Sequence, residues 1–130
     1  MNGRSSLFEA YESWREWTET ETDAIQASNW AQVSQCQEAK RALQPLIIRL
    51  TEDAQSEAAS EGWSWSGTEQ ELRRIISSLI GLESRNGELV AAQRQAALAQ
   101  MNALKDTSRN LRRVRHSYAP SATPHWCSYS

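Results

Sequence analysis

The sequence predicts an all-α protein, an antiparallel three-helix bundle with one long C-terminal helix. Apolar residues recur every three or four positions through most of the chain, which is the period of a helix face and not of a strand. The 130 residues include only 5 Gly and 3 Pro, fewer than turn-rich all-β proteins use. This length suits one domain, which we predict to span residues 1–118.

The first helix is predicted by a stripe between Leu7 and Ile25. Spacings of three and four residues separate its members, so they share one face of a helix. Tryptophan at position 14 is expected to be buried in the core. The stripe consists of Leu7, Tyr11, Trp14, Thr18, Thr22 and Ile25.

The second helix is predicted to begin near residue 29, where Ser28 and Asn29 supply N-cap chemistry. Trp30 follows at a stripe position and is also expected to be core. Pro45 lies inside the pattern, so the helix is either kinked there or broken and restarted, and we favour a kink. The predicted stripe is Trp30, Val33, Cys36 or Gln37, Leu43, Ile47 and Leu50.

The segment Ala59–Gly67 combines two Gly with three Ser and is predicted to be the main loop. Its tryptophans, Trp63 and Trp65, either fold back onto the bundle or present an aromatic pair to a partner. Thr68 followed by Glu71 matches a capping box, which predicts that the third helix begins at Thr68.

The third helix is predicted to run from Thr68 to Tyr118, since a three-four repeat continues over that range. Asn86 and Gly87 fall inside the repeat without changing its phase, so we predict one continuous helix with an exposed Gly. The alternative is a break near Asn86, which would give four helices. Residues 119–130 contain two Pro and are predicted to be a disordered tail.

Charge is distributed unevenly along the chain. Residues 1–69 carry 12 acidic and 5 basic side chains, whereas residues 70–130 carry 4 acidic and 9 basic ones. A nucleic-acid partner is disfavoured because the first half would repel phosphate. No apolar run approaches the length of a membrane span, and no N-terminal signal pattern is present. We therefore expect a cytoplasmic location and no membrane insertion.

Catalytic and metal-binding patterns are missing from the sequence. We find no P-loop, dinucleotide-binding turn or nucleophile elbow. His125 and Cys127 are too few to form a metal site, and the carboxylates of the first helix are expected to face water. We therefore expect no enzyme activity, no cofactor and no metal.

The C-terminal part of the third helix is the candidate binding site. Helix two is about 29 residues long, so an antiparallel third helix runs out of partner near Leu98 to Met101. The remaining apolar positions either extend the bundle in an oligomer or receive a helix of another protein. The predicted binding residues are Leu104, Leu111, Val114 and Tyr118, flanked by Arg112, Arg113 and Arg115.

Two segments resemble flagellar type III export chaperones. The stretch LESRNGELVAAQRQAALAQMNALKDTSRNLRRVRHSYAP is similar to the C-terminal helix of the FlgN class, through Leu82 with Asn86, the run Asn110-Leu111-Arg112-Arg113, and Tyr118. The stretch ASNWAQVSQCQEAKRAL is similar to the second helix of the FliT-like class, in which a short polar turn and a Trp precede an amphipathic helix.

The resemblance implies a small acidic cytosolic chaperone. Such a protein would bind the helical C-terminal segment of a flagellar hook-associated or filament-cap protein before export, and would release it to components of the export apparatus. In this family the C-terminal helix contributes to client binding.

A scaffolding coiled coil is the main alternative to a chaperone. In that case the segment Leu104–Tyr118 would pair with a second copy in a homodimer and would have no client. Polar residues recur at the seam positions of the third helix, namely Asn86, Gln93, Gln100 and Thr107, which weakens a permanent zipper. A transient partner is therefore favoured.

Overall fold

The computed structural model describes residues 3–118 and contains three helices, α1 (Gly3–Gln26), α2 (Trp30–Glu61) and α3 (Trp65–Tyr118). Their side-chain contacts give the helix directions. Gly3 contacts Glu57 and Glu21 contacts Lys40, so α2 runs antiparallel to α1. Lys40 also contacts Glu83 on α3, whereas contacts from α1 to α3 advance in the same direction along both helices. The predicted all-α bundle is confirmed.

The chain divides into two compact units, Met1–Val90 and Ala91–Ser130. The first contains α1, α2 and the N-terminal part of α3, and the second contains the C-terminal part of α3. A single domain over residues 1–118 therefore stays a prediction. The predicted disordered tail, residues 119–130, lies outside the described residues, as do His125, Trp126 and Cys127.

The core of the first unit consists of two apolar clusters, each built from all three helices. In the first, Leu7, Ala54 and Leu72 are buried and Trp65 packs against them. In the second, Ala24, Ile25 and Val33 are buried, and Leu89 and Val90 pack against them. The stripe predicted for α1 therefore does face the core.

Both interruptions considered for the helices are absent from the described residues. Helix α2 runs unbroken through Pro45, so the version with a restarted helix is wrong. Helix α3 likewise passes through Asn86 and Gly87, which excludes the four-helix version. The predicted cap is confirmed, because the side-chain oxygen of Asn29 accepts a hydrogen bond of 3.3 Å from the backbone N–H of Gln32.

The start of α3 differs from the prediction. Helix α2 continues to Glu61 and α3 begins at Trp65, so only residues 62–64 connect them. Thr68 is buried inside α3, where its hydroxyl oxygen accepts a hydrogen bond of 3.1 Å from Nε of Arg4. Glu71 forms a salt bridge of 3.2 Å with the same arginine. The pair therefore contacts α1 and does not cap a helix.

Two tryptophans also differ from the prediction. Trp30 is 46% exposed, so its assignment to the core is wrong. Trp14 is only half-buried, and its indole Nε1 donates a 3.2 Å hydrogen bond to Glu83. Trp65, the first residue of α3, packs against the core, and its ring centroid lies 6.4 Å from that of Trp63 in the connection. These contacts agree with the folding-back alternative.

Glycines at two positions in the first unit have opposite conformational requirements. Gly62 ends α2 in the left-handed region, with φ 80° and ψ 17°, whereas Gly87 lies within α3. A Cβ atom added to either would meet no heavy atom within 4 Å. Their substitution therefore tests backbone conformation without steric contacts.

We predict that Gly62→Ala lowers the free energy of unfolding by about 1 kcal/mol, because alanine is strained in the left-handed region. Gly87→Ala is expected to raise it by about 0.5–1 kcal/mol, because alanine favours the helix. Urea unfolding of both variants measures these changes. A stabilising effect at Gly62 or a destabilising effect at Gly87 would contradict the assigned conformations.

Candidate protein-binding face

The residues of the second unit are exposed along almost the whole described segment. From Ala91 to Ser117 only Gln93 and Arg115 are partly buried. The exposed segment thus begins earlier than the predicted boundary at Leu98 to Met101. The exposed position of Trp30 has the same cause. The last apolar cluster of the bundle includes Val33 and Val90, and the first turn of α2 lies outside that cluster.

Large apolar side chains of this segment lie in water. Leu104 is 71% exposed and Leu111 is 64% exposed, well beyond the exposure of core leucines such as Leu7. Tyr118 is the final residue of α3, but its side chain lies outside the described part of the structure. The exposed apolar residues of this segment are Leu98, Met101, Leu104, Leu111 and Val114.

The helix period places three kinds of side chain on adjacent strips of this segment. At 3.6 residues per turn, four of the apolar residues fall within an arc of about 140°, which we call the apolar stripe: Met101, Leu104, Leu111 and Val114. On one side lies the basic ridge: Arg94, Lys105, Arg109 and Arg112. On the other side lies the alanine flank: Ala92, Ala96, Ala99 and Ala103.

The predicted arginines occupy different positions on the helix. Arg112 belongs to the basic ridge, directly beside the apolar stripe. Arg113 lies about 180° from Leu104 around the helix axis and faces away from the stripe. Arg115 falls on the same side as the stripe and is partly buried. Of the predicted set, Leu104, Leu111, Val114 and Arg112 therefore share one continuous face and Arg113 does not.

A second feature, in the first unit, is a buried polar layer between the two apolar clusters. Lys40 Nζ lies 3.0 Å from Oε1 of Glu21 and 2.6 Å from Oε1 of Glu83. The side chains of Lys40 and Glu21 are 7% and 5% exposed, and that of Glu83 is 39% exposed. One ammonium thus links carboxylates from α1 and α3. The expectation that the acidic residues of α1 all face water is wrong for Glu21.

Asn86 completes this polar layer. Its side-chain nitrogen donates to Glu21 at 2.9 Å and to the carbonyl of Thr18 at 3.1 Å. Its side-chain oxygen accepts from the Thr22 hydroxyl at 2.6 Å. Among the described residues, no buried side-chain polar atom lacks a hydrogen-bond partner. Asn86 is thus a structural residue that fixes α3 against α1.

Cys36 lies beside the polar layer and is fully buried. Burial raises the pKa of its thiol, the negative charge of Glu21 raises it further, and Lys40 acts in the opposite direction. Because the reactive form of cysteine is the thiolate, this environment suppresses its reactivity. Cys36 is therefore a packing residue.

The described residues of the first unit also form surface grooves. One, of about 450 Å³, borders the polar layer and includes Trp14, Lys40 and Glu83, whose polar groups already bind one another. Another, of about 400 Å³, is mainly apolar and is lined by residues of all three helices. Its exposed isoleucines are Ile48, Ile76 and Ile80.

Sequence reasoning missed the polar layer, although part of its signal was visible. Thr18 and Thr22 belong to the stripe predicted for α1, and Asn86 lies at a seam position of α3. Lys40 follows Val33 and Cys36 at helical spacing. A polar residue on a buried stripe requires a partner from another helix. The sequence of one helix does not identify that partner.

Among residues 3–118, no group of three or more histidine, cysteine or acidic residues is placed to hold a metal ion. Within the same range, none of the helices combines the length and apolarity of a bilayer span. The chain was compared with models of protein families, with curated proteins and with solved structures, and none of them matches it.

Proposed function

We propose that the protein is a flagellar type III export chaperone that binds the helical C-terminal segment of a hook-associated or filament-cap protein before export. The observation that carries the proposal is the apolar stripe, whose Leu104 and Leu111 are 71% and 64% exposed. The flagellar character of the client is supported by the sequence resemblance alone. The proposal places the protein in the cytoplasm and in contact with components of the export apparatus.

The exposure of the apolar stripe supports a protein-binding role. Burying apolar surface is worth about 25 cal/mol per Å², and exposed apolar patches commonly mark interaction sites. An amphipathic client helix could cover the stripe with residues spaced three or four apart. Covering the client helix would also prevent the client from assembling prematurely through its own apolar face.

The separation of the apolar stripe from the core also supports this role. The first unit has its own core around Leu7 and Ile25 and its own polar layer. A client can therefore be exchanged on residues 91–118 without removing a core side chain of the bundle.

Binding is tested by changing Leu111 and Val114 together to Ser. We predict that this variant keeps its melting temperature within about 2 °C, because both residues are more than half exposed and exposed substitutions change stability little. It is expected to lose capture of a synthetic C-terminal peptide from a filament-cap or hook-associated protein. Truncation after Ala103 is expected to have the same effect. Titration calorimetry and thermal unfolding provide the two measurements.

The matched control changes Ile48 and Ile80 to Ser. These isoleucines are 61% and 62% exposed but lie in the first unit, so peptide capture is expected to persist. Loss of capture in both double variants would place binding elsewhere. A fall in oligomer mass in the Leu111/Val114 variant, with no peptide bound by the unaltered protein, would support the scaffolding alternative.

A further inference from the structure

The basic ridge is a charged surface along the edge of the apolar stripe. This inference rests on the proposed function and adds the charge of the client. Arg94, Lys105, Arg109 and Arg112 are all exposed. They share an arc of about 60° that adjoins the apolar stripe along its length.

Carboxylates of the same segment do not neutralise the basic ridge. Residues 91–118 contain six basic residues, and Asp106 is their one acidic residue. Asp106 lies 3.8 Å from Arg109, with both side chains more than 60% exposed, so this pair is weak. In the first unit, by contrast, Arg4, Arg41 and Arg73 each form a salt bridge of 3.2 Å or less.

The alanine flank lies on the side of the apolar stripe opposite the basic ridge. Small side chains at Ala96, Ala99 and Ala103 allow close approach of a second helix on that side. A helix seated on the apolar stripe then has one edge beside Lys105 and Arg112. We propose that the partner is an amphipathic helix with Glu or Asp along one edge of its apolar stripe.

A second copy of this chain fits the face less well. Two antiparallel copies of the segment would place one basic ridge on the other, which is repulsive. Two parallel copies would place each basic ridge over an alanine flank that offers no carboxylate. The exposed carboxylates of α1, such as Glu12 and Glu16, have no exposed apolar face beside them, because the stripe of α1 packs inside the bundle. Helix α1 of a second copy therefore does not match the apolar stripe and the basic ridge together.

Nucleic acid also fits the face less well. Phosphates would neutralise the basic ridge, but they would leave Leu104, Leu111 and Val114 in water. An acidic amphipathic helix engages both strips at once. The observations therefore favour a protein segment, and duplex DNA serves as a competitor in the test.

The probes are two synthetic helical peptides with the same leucine repeat over three heptads. One carries Glu and the other Lys at the positions along one edge of the leucines. We predict that the Glu peptide binds the full-length protein at least about tenfold more tightly at low salt, as expected for several exposed ion pairs. The preference is expected to shrink at 1 M salt through screening.

Neighbouring arginines provide a matched pair of variants. Arg112→Glu reverses a charge on the basic ridge, whereas Arg113→Glu makes the same change in net charge on the opposite side of the helix. We expect the first to weaken binding of the Glu peptide about fivefold and the second by less than about 1.5-fold, because only Arg112 lies beside the partner. Circular dichroism checks that both variants keep their helix content.

The outcomes separate this inference from the proposed function. If both peptides bind equally, and the Leu111/Val114 change removes both, the apolar stripe is a binding site but the inference is wrong. If neither peptide binds, the inference and the proposed function are both overturned. The inference is also overturned if duplex DNA binds and displaces the Glu peptide, or if Arg112→Glu and Arg113→Glu weaken binding equally.

Discussion

Replacing Lys40 by Met is expected to lower the free energy of unfolding by about 3–5 kcal/mol. The ammonium of Lys40 is shared by Glu21 and Glu83, and the side chains of Lys40 and Glu21 are only 7% and 5% exposed. Methionine nearly preserves the volume of the lysine stem but removes the charge. Glu21 then remains a buried carboxylate whose hydrogen bond from Asn86 is its main compensation. Urea unfolding followed by circular dichroism measures the loss.

Arg41 provides a neighbouring control for this substitution. It also forms a salt bridge, with Glu38 at 2.6 Å, but both side chains are about 70% exposed. Because exposed ion pairs contribute little, Arg41→Met is expected to change the free energy of unfolding by less than about 0.5 kcal/mol. Equal effects of Lys40→Met and Arg41→Met would show that the polar layer is hydrated.

A double variant separates the loss of a charge pair from the loss of packing. Glu21→Gln removes the carboxylate that Lys40→Met leaves unpaired, while its side-chain oxygen can still accept from Asn86. Combining the two changes is expected to recover at least about 1 kcal/mol relative to Lys40→Met alone, since buried pairs can be replaced together at lower cost than singly. No recovery would assign the effect of Lys40→Met to packing.

The polar layer joins all three helices at one level and so restricts their alignment. Sliding α3 by one turn would separate Asn86 from Thr18 and Glu21, and would take Glu83 away from Lys40. Each separation would leave a buried polar group without its partner. The apolar clusters are less specific, because leucine and isoleucine side chains can repack. We infer that the polar layer fixes the alignment of the bundle.

Periodicity predicted the helices because it depends on the sequence of one segment at a time. The stripe of α1 and the continuity of α3 through Gly87 follow from periodicity, and the N-cap at Asn29 follows from the residue type at that position. The position at which α3 begins was not predicted correctly, because Thr68 and Glu71 have the three-residue spacing of a capping box and of neighbours on one helix face. Their contact with Arg4 of α1 shows that Thr68 and Glu71 are neighbours on one helix face and not a capping box.

The candidate binding face was predicted in part for a similar reason. The apolar residues Leu104, Leu111 and Val114 follow from spacing and are exposed, as the prediction required. The earlier start of the exposed segment depended on whether Trp30 packs into the bundle. The packing of Trp30 depends on where the contact between α1 and α2 ends, which is around Ile25 and Val33. The sequence of one helix alone does not specify that position.

Leucine-to-alanine substitutions at positions 7 and 104 are expected to give opposite results in stability and binding. Leu7 is fully buried beside Ala54 and Leu72, so Leu7→Ala is expected to lower the free energy of unfolding by about 2–5 kcal/mol, through lost burial and the cavity that it leaves. Leu104 is 71% exposed, so Leu104→Ala is expected to change it by less than about 0.5 kcal/mol.

The binding of the acidic leucine-repeat peptide provides the second measurement for this pair of variants. At a temperature where both variants are folded, Leu7→Ala is expected to bind the peptide as the unaltered protein does, because the bundle core makes no part of the apolar stripe. Leu104→Ala is expected to weaken binding about tenfold, the loss of a leucine contact worth about 1.4 kcal/mol. If Leu104→Ala instead lowered the free energy of unfolding by more than about 2 kcal/mol, the apolar stripe would be buried between copies of this chain and would not be a client-binding site.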